Sequence, residues 1–153
     1  MKRHIILLIA FVLMSAQLFA QTPVYLTKAY KPVESDRYTA YSSLEIQGGD
    51  TWKNCFTLGV INNYHGYATF NIGGKYESIS FILGAEKSNG GNDPNIVQIH
   101  ADGKRIFDHV LRDGDLGQQF TLNISGVDKL EFSLVKPEVE AAFCEVALWT
   151  KGQ

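Results

Sequence analysis

Cysteine is scarce: the chain has only Cys55 and Cys144 in 153 residues, and they do not form a C-x-x-C redox pair. Basic charge is scarce too. Fourteen Lys and Arg face sixteen Asp and Glu, a formal net charge of −2, and no basic patch is visible. Nucleic acid and anionic membranes both require clustered positive charge, so neither is expected as a partner. No segment after residue 20 holds the roughly twenty apolar residues of a spanning helix, so membrane insertion is not expected either. Nor does any segment after residue 20 show helical periodicity over three turns. Enzyme signatures are also missing: there is no H-E-x-x-H, no G-x-S-x-G elbow, and "NIGGKY" lacks phosphate-loop spacing.

The first twenty residues form a different kind of segment. Lys2, Arg3 and His4 precede the apolar run "IILLIAFVLM", and "SAQLFA" ends on Ala20 before "QTP". That is the order of an export signal, so residues 1–20 are expected to be removed and the product to be secreted or periplasmic. Losing Lys2 and Arg3 but no acid shifts the net charge from −2 to −4. In an oxidising compartment, an even cysteine count suggests a Cys55–Cys144 bridge. Closing so long a loop would stabilise the fold by roughly 4 kcal/mol in the chain-entropy account. Two separate buried thiols are the alternative, and the sequence leaves both open.

Residues 21–40 mix aromatics, prolines and charges without a period and read as an irregular lead-in to a single domain at 41–153. From Leu44 onward the period is two. Phe56, Leu58 and Val60 fall on one face, as do Ile79, Phe81 and Leu83; Val97, Ile99 and Ala101; Phe120, Leu122 and Ile124; and Leu130, Phe132 and Leu134. "AAFCEVALW" supplies the last strand. Short alternating runs split by "IGGKY", "ADGKR" and "ISGVDKL" turns define an all-β sandwich or barrel. Asp102-Gly103 is a two-residue hairpin signal. If it is the bend, alternation sets Ile106, Asp108 and Val110 against Arg105, Phe107, His109 and Leu111, so Asp108 and His109 face opposite ways and cannot form a dyad. A glycosidase needs two carboxylates about 5 to 9 Å apart across a cleft, whereas Asp113 and Asp115 in "RDGDLG" read as a solvated turn.

The ordered strings "FTLGVINNYHGYATFNIGGKYESISFILG", "NIVQIHADGKRIFDHVL", "FTLNISGVDKLEFSLV" and "CEVALW" resemble the NPCBM family, carbohydrate-binding module family 51, from about Tyr41 to Trp149. The resemblance implies a jelly-roll β-sandwich of the galactose-binding-like type without catalytic machinery. It implies a glycan partner, of galactose or N-acetylhexosamine type, held in loops at one end of the sandwich. It also implies company with a separate glycoside hydrolase or surface protein. The chain departs from the family in carrying "NYHG" where a "HAPS"-like segment is usual, and Phe143 where tryptophan is frequent. A protein-interaction sandwich without sugar binding is the rival reading.

Sugar recognition calls for a flat ring and hydroxyl partners on a rigid frame. "INNYHGY" is densest in both, giving Asn62, Asn63, Tyr64, His65 and Tyr67, with Trp52 as a further platform. Trp149, Asn89, Asn92 and Asp93 are secondary candidates. The structural calcium of the family would fall to Asp50 and Thr51 in "QGGDTW" and to Glu145 in the last strand, supplemented by backbone carbonyls.

Overall fold

The computed structural model describes residues 21–86 and 93–152, so residues 1–20, expected to be an export signal, and the loop positions Asn89 and Asn92 lie outside the described residues. The alternating runs become strands of two antiparallel sheets. One sheet is ordered β11 (Gln118–Asn123), β8 (Ser78–Ala85), β13 (Ala141–Trp149), β4 (Thr51–Leu58) and β3 (Tyr38–Glu45), with β1 (Val24–Tyr25) also paired to β13. The other is ordered β10 (Lys104–Leu111), β9 (Asn95–Ala101), β12 (Lys129–Leu134), β7 (Tyr67–Asn71) and β2 (Glu34–Asp36). A separate ribbon joins β5 (Val60–Ile61) to β6 (Tyr64–His65). The fold is thus the all-β sandwich that period two predicts.

Each strand turns every second side chain inward, and the two inner faces meet on phenylalanine. Phe56 and Phe143 stack at 4.9 Å between ring centroids. Phe132, from the opposite sheet, meets them edge-on at 5.2 and 5.1 Å. Phe70 and Phe81 complete this fully buried set. Burying one such ring contributes about 1.5–3 kcal/mol, and a well-placed ring pair adds about 0.5–1.5 kcal/mol.

The outward face of the six-stranded sheet is covered as well. Cys55 and Cys144 stand opposite each other on β4 and β13, with Cα atoms 4.0 Å apart, and are bridged. Beyond the bridge both strands change course, with Asn54 at φ 51° and Glu145 at φ 48°. There β13 exchanges β4 for β1 as its neighbour. The arm formed by the ends of β3 and β4 folds back over the sheet, and at its tip the Gln47 N–H donates to the Ala85 carbonyl (3.1 Å). Ile46 is thereby driven against Gly84 and Gly117; a Cβ on either glycine would sit 2.8 or 2.9 Å from its Cδ1. Tyr41, Leu44, Trp52 and Ile82 close over the bridge, forming a second, smaller core.

Two expectations are corrected. Residues 21–40 are not an irregular lead-in: β1 pairs with β13, β2 pairs with β7, and Leu26 of the one-turn helix α1 (Leu26–Ala29) is fully buried. Two- and three-residue strands are too short to show a period. Tyr30 ties this stretch down further, sharing a 2.9 Å hydrogen bond with the Tyr76 hydroxyl. In β10, a bulge at Ile106 moves Arg105 out of register with Phe107. Arg105 therefore lies on the outward face, 3.5 Å from Asp108, and not with Phe107 and His109.

Two measurements test this framework. The bridge closes a sequence separation of 89 residues, so reduction is expected to cost roughly 4 kcal/mol in urea unfolding; unchanged stability under reductant would contradict it. Burial, then the hydrogen bond and charge of Tyr30, push Tyr76 up to about 12 from 10.0. The folded state therefore prefers the neutral phenol, and its contribution, complete below pH 10, is lost as pH rises toward 12. Tyr76→Phe is expected to flatten that alkaline loss in melts taken between pH 9 and 12.

Candidate functional site

The "INNYHGY" segment folds as a tight hairpin at the end of the sandwich where β4 hands over to β7. Val60 pairs with His65 and Ile61 with Tyr64, leaving Asn62-Asn63 as the two-residue turn. Asn62 takes φ 55°, a conformation asparagine tolerates well. At the base of the hairpin, the Gly66 N–H donates to the Gly59 carbonyl (2.9 Å), and the Gly66 carbonyl accepts from Leu134 N–H (3.0 Å). A Cβ at Gly66 would lie 3.0 Å from the Gly59 oxygen, so a side chain here would crowd the base of the ribbon.

That closure aims His65 and Tyr67 over the outward face of the five-stranded sheet. With Gln98, His100, Glu131, Ser133, Leu134 and Val135 they line a groove of about 450 Å³. Strand register sets its floor: Gln98 stands beside Ser133, which stands beside Tyr67, and one rung along His100 stands beside Glu131. Adjacent strands are about 4.8 Å apart, which places these polar groups on the scale of a single small ring. Tyr67, 37% exposed, offers an aromatic surface. Gln98, Ser133 and the histidines can donate and accept, and Glu131 accepts. His100 Nδ1 is buried without a hydrogen-bond partner among the described residues, and the nearest Glu131 carboxylate oxygen stands 3.9 Å away.

The walls are held by side-chain bonds. Asn95, fully buried, donates through Nδ2 to the carbonyls of Lys136 (2.6 Å) and Val139 (3.0 Å). Its Oδ1 accepts from the backbone N–H of Ile96 and Lys136, fastening the segment after Val135. At the far end of the sheet Asp102, at φ 49°, and Gly103, at φ 81°, make the hairpin bend. The Asp102 carboxylate accepts from Lys129 N–H (2.8 Å) and Asp128 N–H (3.2 Å), a turn-fixing role with no catalytic geometry. Asp108 and His109 do face opposite ways: Asp108 pairs beside Gln98 outward, while His109 rests 5.1 Å from the Phe120 ring. Asp115 closes its own loop onto Arg112 N–H and Asp113 accepts from Gln47 Nε2, so the "RDGDLG" acids serve turns.

The sequence-derived candidates therefore divide. His65 and Tyr67 line the groove. Asn62 and Asn63 form the hairpin turn, and Tyr64, 65% exposed, is not among the groove residues because its neighbour His65 takes the opposite side of the ribbon. Trp52 packs over the disulfide on the other sheet, and Trp149 donates through Nε1 to Ser80 Oγ (2.9 Å). Gln98, His100, Glu131 and Ser133 were missed. Their signal was the complement of the apolar alternation: they are the outward residues between Val97, Ile99, Leu130, Phe132 and Leu134.

The residues expected to hold calcium do not present a ready cage. The Asp50 carbonyl accepts from Ile46 N–H, and Glu145 Oε1 accepts from Lys53 N–H (3.0 Å). Thr51 pairs with Glu45 at the end of the arm. No group of three or more His, Cys, Asp or Glu suited to a metal occurs among the described residues. Calcium takes six to eight oxygens, backbone carbonyls among them, and these three side chains supply only part of such a set.

A two-sheet sandwich carrying a polar, ring-bearing groove is the form of a galactose-binding-like carbohydrate-binding module. Residues 15–152 match the NPCBM/NEW2 domain, and the chain belongs to that family. Among curated proteins none matches. Solved structures do. A CBM51 from Clostridium perfringens GH95, in complex with methyl-galactose, is similar at TM-score 0.64 and 12% identity, over 83% of this chain and 99% of that one. The tandem CBM51 modules of a family 98 glycoside hydrolase from Streptococcus pneumoniae are similar at TM-score 0.68 and 12% identity, over 87% of this chain and 48% of theirs. CBM51-2 with the INT domains of Clostridium perfringens ZmpB, in complex with GlcNAc, is similar at TM-score 0.65 and 8% identity, over 84% and 32%.

Melts in chelator and in added calcium test the calcium expectation: a midpoint indifferent to both would exclude the ion from Asp50, Thr51 and Glu145. A midpoint that falls in chelator would support a bound ion by mass action on the folded state.

Proposed function

We propose that this chain is an exported, non-catalytic module that binds a galactose- or N-acetylhexosamine-type sugar in the groove formed by His65, Tyr67, Gln98, His100, Glu131 and Ser133. It works beside a separate glycoside hydrolase or surface protein. The observation that carries the reading is the Tyr67 ring set against Gln98, His100, Glu131 and Ser133, a platform flanked by donors and acceptors on paired strands. The C–H face of a pyranose packs on the ring while its hydroxyls replace water on the polar side chains. Family membership supports the class of ligand. The methyl-galactose and GlcNAc complexes of similar modules support the sugar types, and the family 98 hydrolase carrying such modules supports the partner.

This reading puts the sugar on the sheet face, with the hairpin as one wall, and so differs from the expected site built of loops at one end of the sandwich. A glycan array probed with residues 21–153 is expected to give hits of these two sugar types. Tyr67→Ala or His65→Ala should weaken the strongest hit at least tenfold, about 1.4 kcal/mol; Tyr64→Ala should leave it unchanged. Hits that survive Tyr67→Ala and vanish with Tyr64→Ala would move the site to the hairpin tip. An array without hits, with capture of a protein that depends on the exposed Ile61 and Tyr64, would support the protein-interaction reading instead.

A further inference from the structure

We propose that the groove takes an extended, uncharged oligosaccharide, whose chain crosses the outward face of the five-stranded sheet from the hairpin to the Asp102-Gly103 turn. This rests on the sugar-binding reading above and deepens it. A second hollow, of about 760 Å³, lies on the same face, lined by Asn71, His100, Asp128, Lys129 and Glu131 together with the turn residues Gly73, Asp102 and Gly103. The two hollows share His100 and Glu131 and so adjoin on this face, with that pair between them.

Register gives the length of the trough. Ser133, Glu131 and Lys129 are successive outward positions of the central strand β12, beside Tyr67, Thr69 and Asn71 of β7. Four residues of extended chain span about 13 Å, more than one pyranose ring covers. The two ends differ in kind. Among the described lining residues, Tyr67 at the hairpin end is the one phenyl-type ring, while the far end has the amide of Asn71, the Lys129 ammonium and turn groups. A single sugar therefore seats at Tyr67, and further rings gain hydrogen bonds toward Lys129.

The charges on this face decide the class of occupant. Lys129 is set among Glu131, Asp128 and Asp102, and Arg105 is already engaged by Asp108 at 3.5 Å. A polyanionic glycan needs unopposed cations in series, which this trough does not offer. A peptide would seek a free strand edge, whereas β9 and β12 are paired on both sides. Alternating donors and acceptors, with a single ammonium among three carboxylates and with His100 Nδ1 still unpaired among the described residues, suit a chain of hydroxyls.

The test is calorimetric titration of the mature chain with two probe series, methyl-galactoside against β-1,4-galactotetraose and GlcNAc against its β-1,4-linked tetramer. In the series that binds, the tetramer is expected to bind at least tenfold tighter than the single sugar, beyond the statistical gain of carrying several rings. The double variant Asn71→Ala, Lys129→Ala should remove that excess and leave the single-sugar affinity unchanged, whereas Tyr67→Ala should weaken both. Thermal melts of each variant establish that it is folded. Equal affinity for single sugar and tetramer, with Tyr67→Ala still abolishing binding, would overturn the extended trough and leave the sugar site standing. A tetramer advantage that survives Asn71→Ala, Lys129→Ala would also overturn it. No binding in either series would overturn both readings.

Discussion

The structure depends on rings from two sheets meeting in one plane of contact. Phe56 and Phe143 from one sheet, against Phe132 and Phe70 from the other, fix how the sheets face each other. Once these are committed inward, the intervening residues have no choice of side: period two sends Gln98, His100, Glu131 and Ser133 outward as surely as it sends Ile99 and Phe132 inward. The groove is in this sense the complement of the core. A one-residue slip of β12 would bury Glu131 and expose Phe132, losing both together.

A sandwich has two outer faces, and this one closes one of them. The folded-back arm of β3 and β4, seated by Ile46 against Gly84 and Gly117, covers the disulfide and the middle of the six-stranded sheet. Left-handed backbone at Asn54 and Glu145 accompanies the change of course that allows it. The proposed site follows this asymmetry of covering, since the five-stranded sheet keeps the polar groove residues on its uncovered face. The closed face also explains why Trp52, a reasonable sugar platform by residue type, belongs to packing.

Much of the fold was legible because its information is local. Val97-Ile99-Ala101 and Leu130-Phe132-Leu134 announce strands with one apolar side, and Asp102-Gly103 announces a bend whose two positive φ angles the structure contains. What escaped was carried by partners distant in the chain. β1 and β2 are strands only because β13 and β7 accept them. The Ile106 bulge becomes apparent only against Ile99 and His100. The choice between bridged and separate thiols at Cys55 and Cys144 likewise needed β4 laid beside β13. The candidate site divides the same way. His65 and Tyr67 stood out as neighbours in one short segment, whereas no spacing along the chain says that Gln98 lies beside Ser133 and Ser133 beside Tyr67.

The Asp102 carboxylate spans two reversals of the chain, reaching from its own bend to the amides of Asp128 and Lys129. Together with the Asp102 N–H, which donates to the Lys129 carbonyl (2.9 Å), the side chain joins the two segments into a single lip. A guest arriving there meets a surface already in its working shape, and little motional freedom remains to be surrendered on contact. In the proposed trough, recognition at that lip would be governed by fit and by the release of water.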